Sequence, residues 1–332
     1  MRPFSYHRAS DAIDAVNAAA AQDATAEFIA GGTNMLDYMK LGVVQPGRLV
    51  DINALSKDVH GRIEVSQSRL RLGSLVRMAE AQDHPTIKRD YPVIAESLML
   101  AASQQIRNMA SLGGNVLQKT RCEYFRETSW ACNKRNPGSG CAAFDGVNRE
   151  HAVLGGGPAC IATYHGDFAQ ALVALDASVE TIGPKGLRRI PFANLHRLPG
   201  KTPELETNLA PGELITNIDI PAGPHTRRSR YLKIRDRQSY QFALASAAVA
   251  LALEGDKVRD VRIALGGVAT VPWRAREAEE SLRGKVLDEA SATKAAEVAF
   301  AGAEPREHNA FKIPLGMATI VRALLEAKDM RV

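Results

Sequence analysis

The sequence lacks the features of a membrane-spanning, secreted or nucleic-acid-binding protein. Its longest apolar run, residues 242–253, is shorter than the roughly 18 residues that indicate a transmembrane helix. The charged first residues precede no apolar segment, so we expect no signal peptide. The net charge is +5, but aromatic residues make up only 5% of the chain and few lie among the Lys and Arg residues. We expect no membrane span and no nucleic acid partner.

One basic segment is an exception to the dispersed charge. Residues 225–237 are dense in Arg and Lys. Three interpretations stay open for this segment: a solvated strand edge, a docking face, or the wall of an anionic cofactor site.

The sequence also lacks a G-x-G-x-x-G motif, so a dinucleotide site of the Rossmann type is excluded. A different glycine turn follows a strand-like run at residues 28–35. Gly31 and Gly32 have no Cβ, so phosphates can approach the backbone N–H groups of this turn. Thr33 and Asn34 add a hydroxyl and an amide that can bind a pyrophosphate or cap the helix predicted over 36–41. A purely structural turn is the alternative.

A second turn of similar composition, Ser111-Leu-Gly-Gly-Asn115, follows a helical pattern over 95–109. A dinucleotide has a pyrophosphate long enough to be held from two sides. The pair of turns therefore favours a dinucleotide site over two unrelated turns.

Cysteine is scarce and confined to one region. The four cysteines are Cys122, Cys132, Cys141 and Cys160, inside an irregular segment over 118–165 that we interpret as an insertion. No pair shows the short spacing usual in structural zinc sites, and two disulfides would suit a small secreted domain better. An iron–sulfur cluster needs only four thiolates that converge from loops. Zinc, disulfides and independent buried thiols remain alternatives.

The residues around the cysteines also favour a cluster. Residues 133–140 offer backbone N–H groups and positive charge, which would offset the charge of thiolates and sulfides. We expect Tyr124, Phe125 and Trp130 to shield the site from water. His151 and His165 lie nearby in sequence, but four thiolates suffice, so we predict that neither is a ligand.

Short strands and helices alternate along the chain, which indicates an α+β or α/β architecture. Further helices are predicted over 10–21, 74–82, 167–175, 275–282 and 314–327, and further strands over 48–53, 70–73, 177–182, 214–220, 231–237 and 258–265. The segment Pro221-Ala-Gly-Pro224 is the best linker candidate. It separates a first domain, 1–221, from a smaller C-terminal α+β domain, 225–330.

Together these segments resemble the FAD-binding (medium) subunits of the xanthine dehydrogenase and molybdenum hydroxylase family. The resemblance is strongest to the variants with an inserted [4Fe-4S] loop, as in periplasmic aldehyde oxidoreductases. It is carried by residues 30–34, 112–115, 133–141, 231–240 and 265–269 and by the four cysteines. Ser111 stands where Thr is usual in the family.

The resemblance implies an α+β fold: an FAD-binding domain of the vanillyl-alcohol-oxidase (PCMH) type with two subdomains, then a C-terminal domain of the CO dehydrogenase flavoprotein type. It implies FAD contacts from Phe28, Ile29, Ala30, Gly31, Gly32, Thr33, Asn34, Met35, Ser111, Gly114 and Asn115. Asp167 would reach the adenosine half of FAD. Lys233 would lie by the isoalloxazine, where a cation stabilises the anionic reduced flavin. The four cysteines would bind the [4Fe-4S] cluster.

The function implied is electron transfer, with no catalytic residue in this chain. A large partner subunit with molybdenum cofactor would oxidise an aldehyde or N-heterocycle, and a small [2Fe-2S] partner would pass the electrons to this FAD and then to an external acceptor. The complex would be cytoplasmic, or periplasmic by co-export with a partner that carries a twin-arginine signal. A stand-alone flavin oxidase and a zinc-stapled module that binds nucleic acid are the alternatives.

Overall fold

The computed structural model describes residues 1–21 and 25–332. Its strands are β1 (Ser5–Arg8), β2 (Ala26–Ile29), β3 (Arg48–Asp51), β4 (Ile63–Val65), β5 (Arg69–Gly73), β6 (Ser178–Gly183), β7 (Gly186–Pro191), β8 (Leu214–Pro221), β9 (Ser229–Ile234), β10 (Ala245–Glu254), β11 (Lys257–Gly266) and β12 (Trp273–Arg274). Its α-helices are α1 (Ala12–Ala20), α2 (Met35–Leu41), α3 (Met78–Asp83), α4 (Pro85–Asp90), α5 (Pro92–Met99), α6 (Gln104–Met109), α7 (Leu112–Val116), α8 (Glu123–Arg126), α9 (Phe168–Ala174), α10 (Arg276–Leu282), α11 (Glu289–Ala299) and α12 (Lys312–Lys328). Short 3₁₀ turns lie at Asn53–Lys57, Val59–Gly61 and Phe192–Asn194.

The described strands form three sheets. The first has three parallel strands in the order β1-β3-β2, with Ile29 of β2 opposite Asp51 of β3. Parallel neighbours need a crossover connection, and α1 and α2 lie in the segments between these strands. The second sheet is antiparallel, in the order β4-β5-β8-β6-β7, and the third is antiparallel, in the order β12-β11-β10-β9.

The alanine-rich strand β10 lies inside the third sheet and is buried on both faces. Ala247, Val249 and Leu251 belong to a core shared with α10, α11 and α12. Ala248 and Ala250 belong to a different and larger core, together with residues of α5 and α9. Successive strand residues point to opposite faces, so the small alanines let helices approach the sheet from both sides.

Several helical segments differ from the sequence-based expectation, including the unpredicted α4. The helix predicted over 95–109 is two helices, α5 and α6, because Ala102 adopts a left-handed conformation (φ 48°) and Ser103 caps α6 by accepting a hydrogen bond from the Ile106 N–H. The second glycine turn is itself a one-turn helix, α7, capped by Ser111. Helix α11 was not predicted, since its many alanines give a weak apolar periodicity.

The segment 118–165 is irregular as predicted, with only the short helix α8 inside it. Among the described residues, no helix has both the length and the apolar character that a bilayer span requires.

Candidate cofactor sites

The two glycine turns predicted from the sequence meet in the structure. After β2 ends at Ile29, the chain turns through residues 30–34 into α2, and Gly32 adopts the left-handed conformation (φ 72°) that glycine tolerates best. The Asn34 amide donates a hydrogen bond from Nδ2 to the Gly114 carbonyl over 3.4 Å. One residue of each turn is thus in direct contact with the other turn.

Gly31 is packed directly against the end of α6. A Cβ at this position would lie 1.9 Å from the Met109 carbonyl oxygen. Any side chain here would therefore force the first turn away from the segment that leads into the second turn.

The turns leave polar groups for a ligand. The N–H groups of residues 31–34 donate no hydrogen bond to any residue within 1–21 or 25–332. At the second turn, the Ser111 hydroxyl accepts a hydrogen bond from the Gly114 N–H over 3.3 Å, while the Asn115 Oδ1 is buried without a protein partner. Buried polar atoms normally have partners. The phosphate oxygens and hydroxyl groups of FAD supply acceptors for the first set and a donor for the second, so these residues fit FAD.

The remaining predicted residues of the first turn lie in or next to it, and two of them pack against the protein core. Phe28 and Ala30 pack against the small core beneath the first sheet, and the Ala30 carbonyl accepts a hydrogen bond from the Asn53 amide over 2.9 Å. Thr33 lies in the turn, and Met35 begins α2. Their contacts with FAD stay a prediction.

Arg121 places a positive charge beside the first turn, which the sequence did not predict. Its Nη2 donates to the Asn34 Oδ1 over 2.8 Å, and its guanidinium lies 5.5 Å from the ring centres of both Tyr38 and Phe242. The only available sequence signal was that Arg121 precedes Cys122.

A second arginine of the same segment binds the helix that follows the first turn. Arg126 contacts the Asp37 carboxylate at two points, over 2.7 and 3.1 Å. The hydrogen bond from Arg126 lowers the pKa of Asp37. Asp37 is therefore ionised at neutral pH and holds the arginine by charge as well as geometry.

Asp167 and Lys233 form one buried ion pair. Their Oδ2 and Nζ atoms are 2.8 Å apart, and their side chains are only 4% and 1% exposed. Tyr231 donates to the other carboxylate oxygen over 2.7 Å, and Lys233 donates to the Leu100 carbonyl over 3.0 Å. The contacts of Asp167 and Lys233 with two different parts of FAD stay a prediction. The structure adds that the two side chains are paired with each other.

The four cysteines lie together in one apolar cluster with free thiols. Cys122, Cys132 and Cys160 are buried, Cys141 is half-buried, and Cys132 and Cys141 are directly opposite each other in an isolated antiparallel bridge. Burial raises the pKa of Cys122 to about 12 and that of Cys160 to about 11. Ionised thiols are therefore unfavourable here unless a bound metal offsets their charge.

The spacing of these thiols bears on the kind of metal site. Among the described residues, no three His, Cys, Asp or Glu side chains are placed to hold a single metal ion. A single zinc ion needs four ligands about 2.3 Å away, whereas each cysteine of a four-iron cluster binds a different iron. The donor set of four convergent thiols is the one that a [4Fe-4S] cluster uses.

The loop between Cys132 and Cys141 is fixed largely by its own side chains. Asn133 accepts a hydrogen bond from the Gly140 N–H over 2.8 Å, and Arg135 donates to the Tyr124 and Phe125 carbonyls. Lys134 binds Glu206 over 3.1 Å, and its charge offsets part of the rise that burial causes in the pKa of Cys160. The predicted positive charge near the thiols is thus carried by Lys134.

The aromatic shield differs in part from the expectation. Tyr124 and Phe125 are buried in the cysteine cluster, as predicted. Trp130 is 52% exposed and touches the cluster only through an edge-on contact with Tyr124, with ring centres 5.4 Å apart. The prediction that Trp130 shields the site is wrong, because about half of this side chain is exposed to solvent.

His151 is closer to the thiols than the sequence indicated. Its Nε2 lies 3.1 Å from the Cys122 Sγ. Burial lowers the pKa of His151 to about 4 and that of His165 to about 3, so both imidazoles are neutral at pH 7. A neutral imidazole at this distance can donate an N–H to the sulfur.

The basic segment 225–237 is used mainly inside the fold. Arg228 donates to carbonyls at the end of α12, Arg230 pairs with Glu96 and Glu326, and Arg235 donates to the Leu100 carbonyl. These contacts join β9 to α5 and α12. They do not support the interpretation of the segment as a docking face for nucleic acid.

The fold and the paired glycine turns are those of a dinucleotide-binding protein of a non-Rossmann type. The family model described as FAD binding domain in molybdopterin dehydrogenase matches residues 2–223, and the CO dehydrogenase flavoprotein C-terminal domain matches residues 230–327. The chain therefore belongs to the family of FAD-binding subunits of the molybdenum hydroxylases, and it is an oxidoreductase flavoprotein.

Known proteins of this family cover nearly the whole chain. The chain is 44% identical to the aldehyde oxidoreductase FAD-binding subunit of Escherichia coli over 330 residues, which is 99% of each protein. It is 26% identical to the glyceraldehyde dehydrogenase medium chain of Sulfolobus acidocaldarius over 86% of this chain and 83% of the relative. The crystal structure of quinoline 2-oxidoreductase from Pseudomonas putida superposes with a TM-score of 0.76 at 25% identity, over 98% of this chain and 97% of that one. The predicted family, the α+β fold and FAD as cofactor are confirmed.

Proposed function

We propose that this chain is the electron-transfer subunit of a heteromeric, molybdenum-containing aldehyde oxidoreductase and that it carries both FAD and a [4Fe-4S] cluster. The observation that carries the proposal is the contact of the two glycine turns through Asn34 and Gly114, beside a segment that contains four convergent cysteines. We assign FAD binding to residues 1–221, the iron–sulfur site to the insertion 118–165, and the small C-terminal domain to 225–330.

FAD would supply the ability to accept and release electrons. The protein's part is to hold it and to set the charges around it. The free N–H groups of residues 31–34 would bind its phosphates, and the buried Asn115 amide oxygen would accept from a hydroxyl of the cofactor. The Asp167–Lys233 pair supplies a fixed dipole inside the fold, whose positive end would favour electron-rich flavin.

The cluster assignment is supported by the donor set. Cys122, Cys132, Cys141 and Cys160 bring four free thiols into an apolar region where no other described Cys is present. Because these are the only cysteines of the chain, any [2Fe-2S] clusters of the complex would belong to a partner. We propose such a small partner subunit together with a large subunit that holds the molybdenum cofactor.

The proposed substrate class is taken from the relative that is 44% identical over 99% of the chain, which is named as an aldehyde oxidoreductase subunit. We therefore propose aldehydes, rather than N-heterocycles, as substrates of the complex. The partner subunit would bind them, and this chain would deliver their electrons to an external acceptor. The complex would act in the cytoplasm, or in the periplasm after export with a twin-arginine partner.

The test is the visible spectrum of the chain purified without air, before and after dithionite, with iron and sulfide measured on the same sample. We expect flavin bands over a broad shoulder that bleaches on reduction. One cluster per chain would give about four iron atoms per chain. Cys141→Ser should lose the shoulder and keep the flavin bands. Ala142→Ser adds a hydroxyl at the residue after Cys141 but leaves all four thiols. This variant should keep the shoulder and the flavin bands.

Two other outcomes would contradict parts of the proposal. Flavin bands without iron would contradict the cluster and keep FAD. A spectrum without flavin bands that added FAD did not restore would contradict the proposal as a whole.

A further inference from the structure

The segment that contains the first cysteine is bonded to the helix that follows the first glycine turn. The Lys119 N–H donates to the Tyr38 hydroxyl over 2.8 Å, Arg121 donates to the Asn34 Oδ1 over 2.8 Å, and Arg126 binds Asp37 at two points. Cys122 lies between these residues in the chain. Every one of these contacts connects residues 119–126 to residues 34–38.

Helix α2 has little other support. Only Tyr38 and Met39 of its seven residues are buried, whereas Leu36 and Leu41 are exposed. Asn34, at its first end, makes no side-chain capping bond, and its amide oxygen is instead bonded to Arg121. The contacts made by segment 119–126 therefore contribute to the position of the turn, in addition to the Asn34 contact with Gly114 and the packing of Gly31 on Met109.

The other side of this segment is fixed at the cysteines. Cys122 is 8% exposed and packs with Tyr124, Phe125 and Cys160 in the apolar cluster, against which Val43, just beyond α2, also packs. A metal cluster bound by Cys122 would fix the backbone of its neighbours, because ligand binding restricts the loop that supplies the ligands.

We propose that cluster loading and FAD binding are thermodynamically coupled through the contacts of Arg121 and Arg126 with Asn34 and Asp37. The inference rests on the proposed function and gives the cluster a role in addition to electron storage. A cluster bound by Cys122 would restrict the position of segment 119–126. The contacts of Arg121 and Arg126 would then keep the turn in its FAD-binding arrangement. Without the cluster only a fraction of the molecules would have the turn in place, and the apparent affinity for FAD falls by that fraction.

The coupling is reciprocal by thermodynamic necessity. FAD bound at the turn must stabilise the cluster by the same factor by which the cluster strengthens FAD binding. We therefore expect less iron to reach a competing chelator, at equilibrium, when FAD is bound.

The experiment compares FAD dissociation constants, measured without air by flavin fluorescence, for the full chain with its cluster and after the cluster is removed by a chelator. We expect the wild-type protein to bind FAD about tenfold more tightly with the cluster, within the usual range of coupling between sites. In Arg126→Gln the ratio of the two constants should fall towards one. The iron released to a chelator at equilibrium, with and without FAD, is the second readout.

Arg149→Gln is the matched control. Arg149 also belongs to the insertion and binds a carboxylate at two points, but that carboxylate is Asp236, over 2.9 and 3.0 Å, and not a residue of α2. This variant should keep the wild-type ratio. If Arg126→Gln does not fold, Asp37→Asn removes the same ion pair from the α2 side.

The outcomes separate this inference from the proposed function. A chain that binds both FAD and iron, but with a wild-type ratio of one, contradicts the coupling alone. An unchanged ratio in Arg126→Gln or Asp37→Asn, or an equal loss in Arg149→Gln, contradicts the route through α2. A chain that binds neither FAD nor iron contradicts the proposed function itself.

Discussion

The His151 Nε2 lies 3.1 Å from the Cys122 Sγ, so a neutral imidazole faces one of the four thiols inside the protein. A hydrogen bond to a cysteine ligand stabilises the electron-rich reduced cluster more than the oxidised one and raises its reduction potential. We expect His151→Phe to lower the midpoint potential of the proposed cluster by about 20 to 60 mV, the equivalent of one ordinary hydrogen bond in a one-electron reduction.

A redox titration followed by electron paramagnetic resonance would measure this change. His151→Gln keeps an N–H donor and should recover part of the difference. An equal potential in wild type and His151→Phe would show that the imidazole does not donate to the sulfur.

Gly31 has no room for a side chain. A Cβ would lie 1.9 Å from the Met109 carbonyl oxygen, so Gly31→Ala must displace the turn and should lower the free energy of unfolding by about 1–3 kcal/mol. We also expect the FAD content of the purified protein to fall. Gly302→Ala is the control, because a Cβ there meets no atom within 4 Å. Normal flavin content in Gly31→Ala would contradict the assignment of this turn to FAD.

The Asp167–Lys233 pair should show strong non-additivity. Removal of one partner leaves an uncompensated buried charge, which costs about 3–5 kcal/mol. We expect Asp167→Asn and Lys233→Met each to destabilise the protein strongly in urea unfolding, and the double variant to lose less than the sum of the two. Additive losses would mean that the 2.8 Å contact contributes no coupling in solution.

Lys312 should make stability depend on pH in the alkaline range. Its Nζ is buried between the Glu150 and Gly267 carbonyls, and burial lowers its pKa to about 7. The unfolded chain keeps this proton up to about pH 10.4. Between those values the unfolded state binds more protons, so the free energy of unfolding rises with pH, by about 2 kcal/mol from about pH 7 to about pH 9.

Urea unfolding at several pH values would measure this slope. Lys312→Gln keeps N–H donors but removes the charge, so the free energy of unfolding should change less with pH in this variant. Lys294→Gln, at an exposed lysine paired with Glu297, should keep the wild-type slope. A wild-type slope in Lys312→Gln would assign the effect to other groups.

Local composition predicted most elements but not all of their details. The apolar run 242–253 is too short to span a membrane, but periodicity cannot distinguish a buried strand from a buried helix, and in the structure most of it forms β10. The break between α5 and α6 depends on Ala102 in a left-handed conformation. No glycine or proline marks that position, and the Ser103 cap of α6 is the only local signal there.

The site was predictable where chemistry is concentrated in short segments. The glycine turns and the four cysteines stand out in the sequence because their composition is unusual. The contacts of Arg121 with Asn34, of Arg126 with Asp37 and of His151 with Cys122 join residues that are far apart in the chain. Single-sequence patterns carry no information on such pairs, and the outward position of Trp130 is equally a result of tertiary packing.

The bridge between Cys132 and Cys141 has a practical consequence for handling the protein. Residues directly opposite each other on antiparallel strands have Cβ atoms about 4.5–5.5 Å apart, so small backbone adjustments would let these two thiols join as a disulfide. If oxygen destroyed the proposed cluster, these two opposed thiols would be available to oxidise. Apoprotein prepared in air would then need a thiol reductant before iron and sulfide are added, and the reductant must come first.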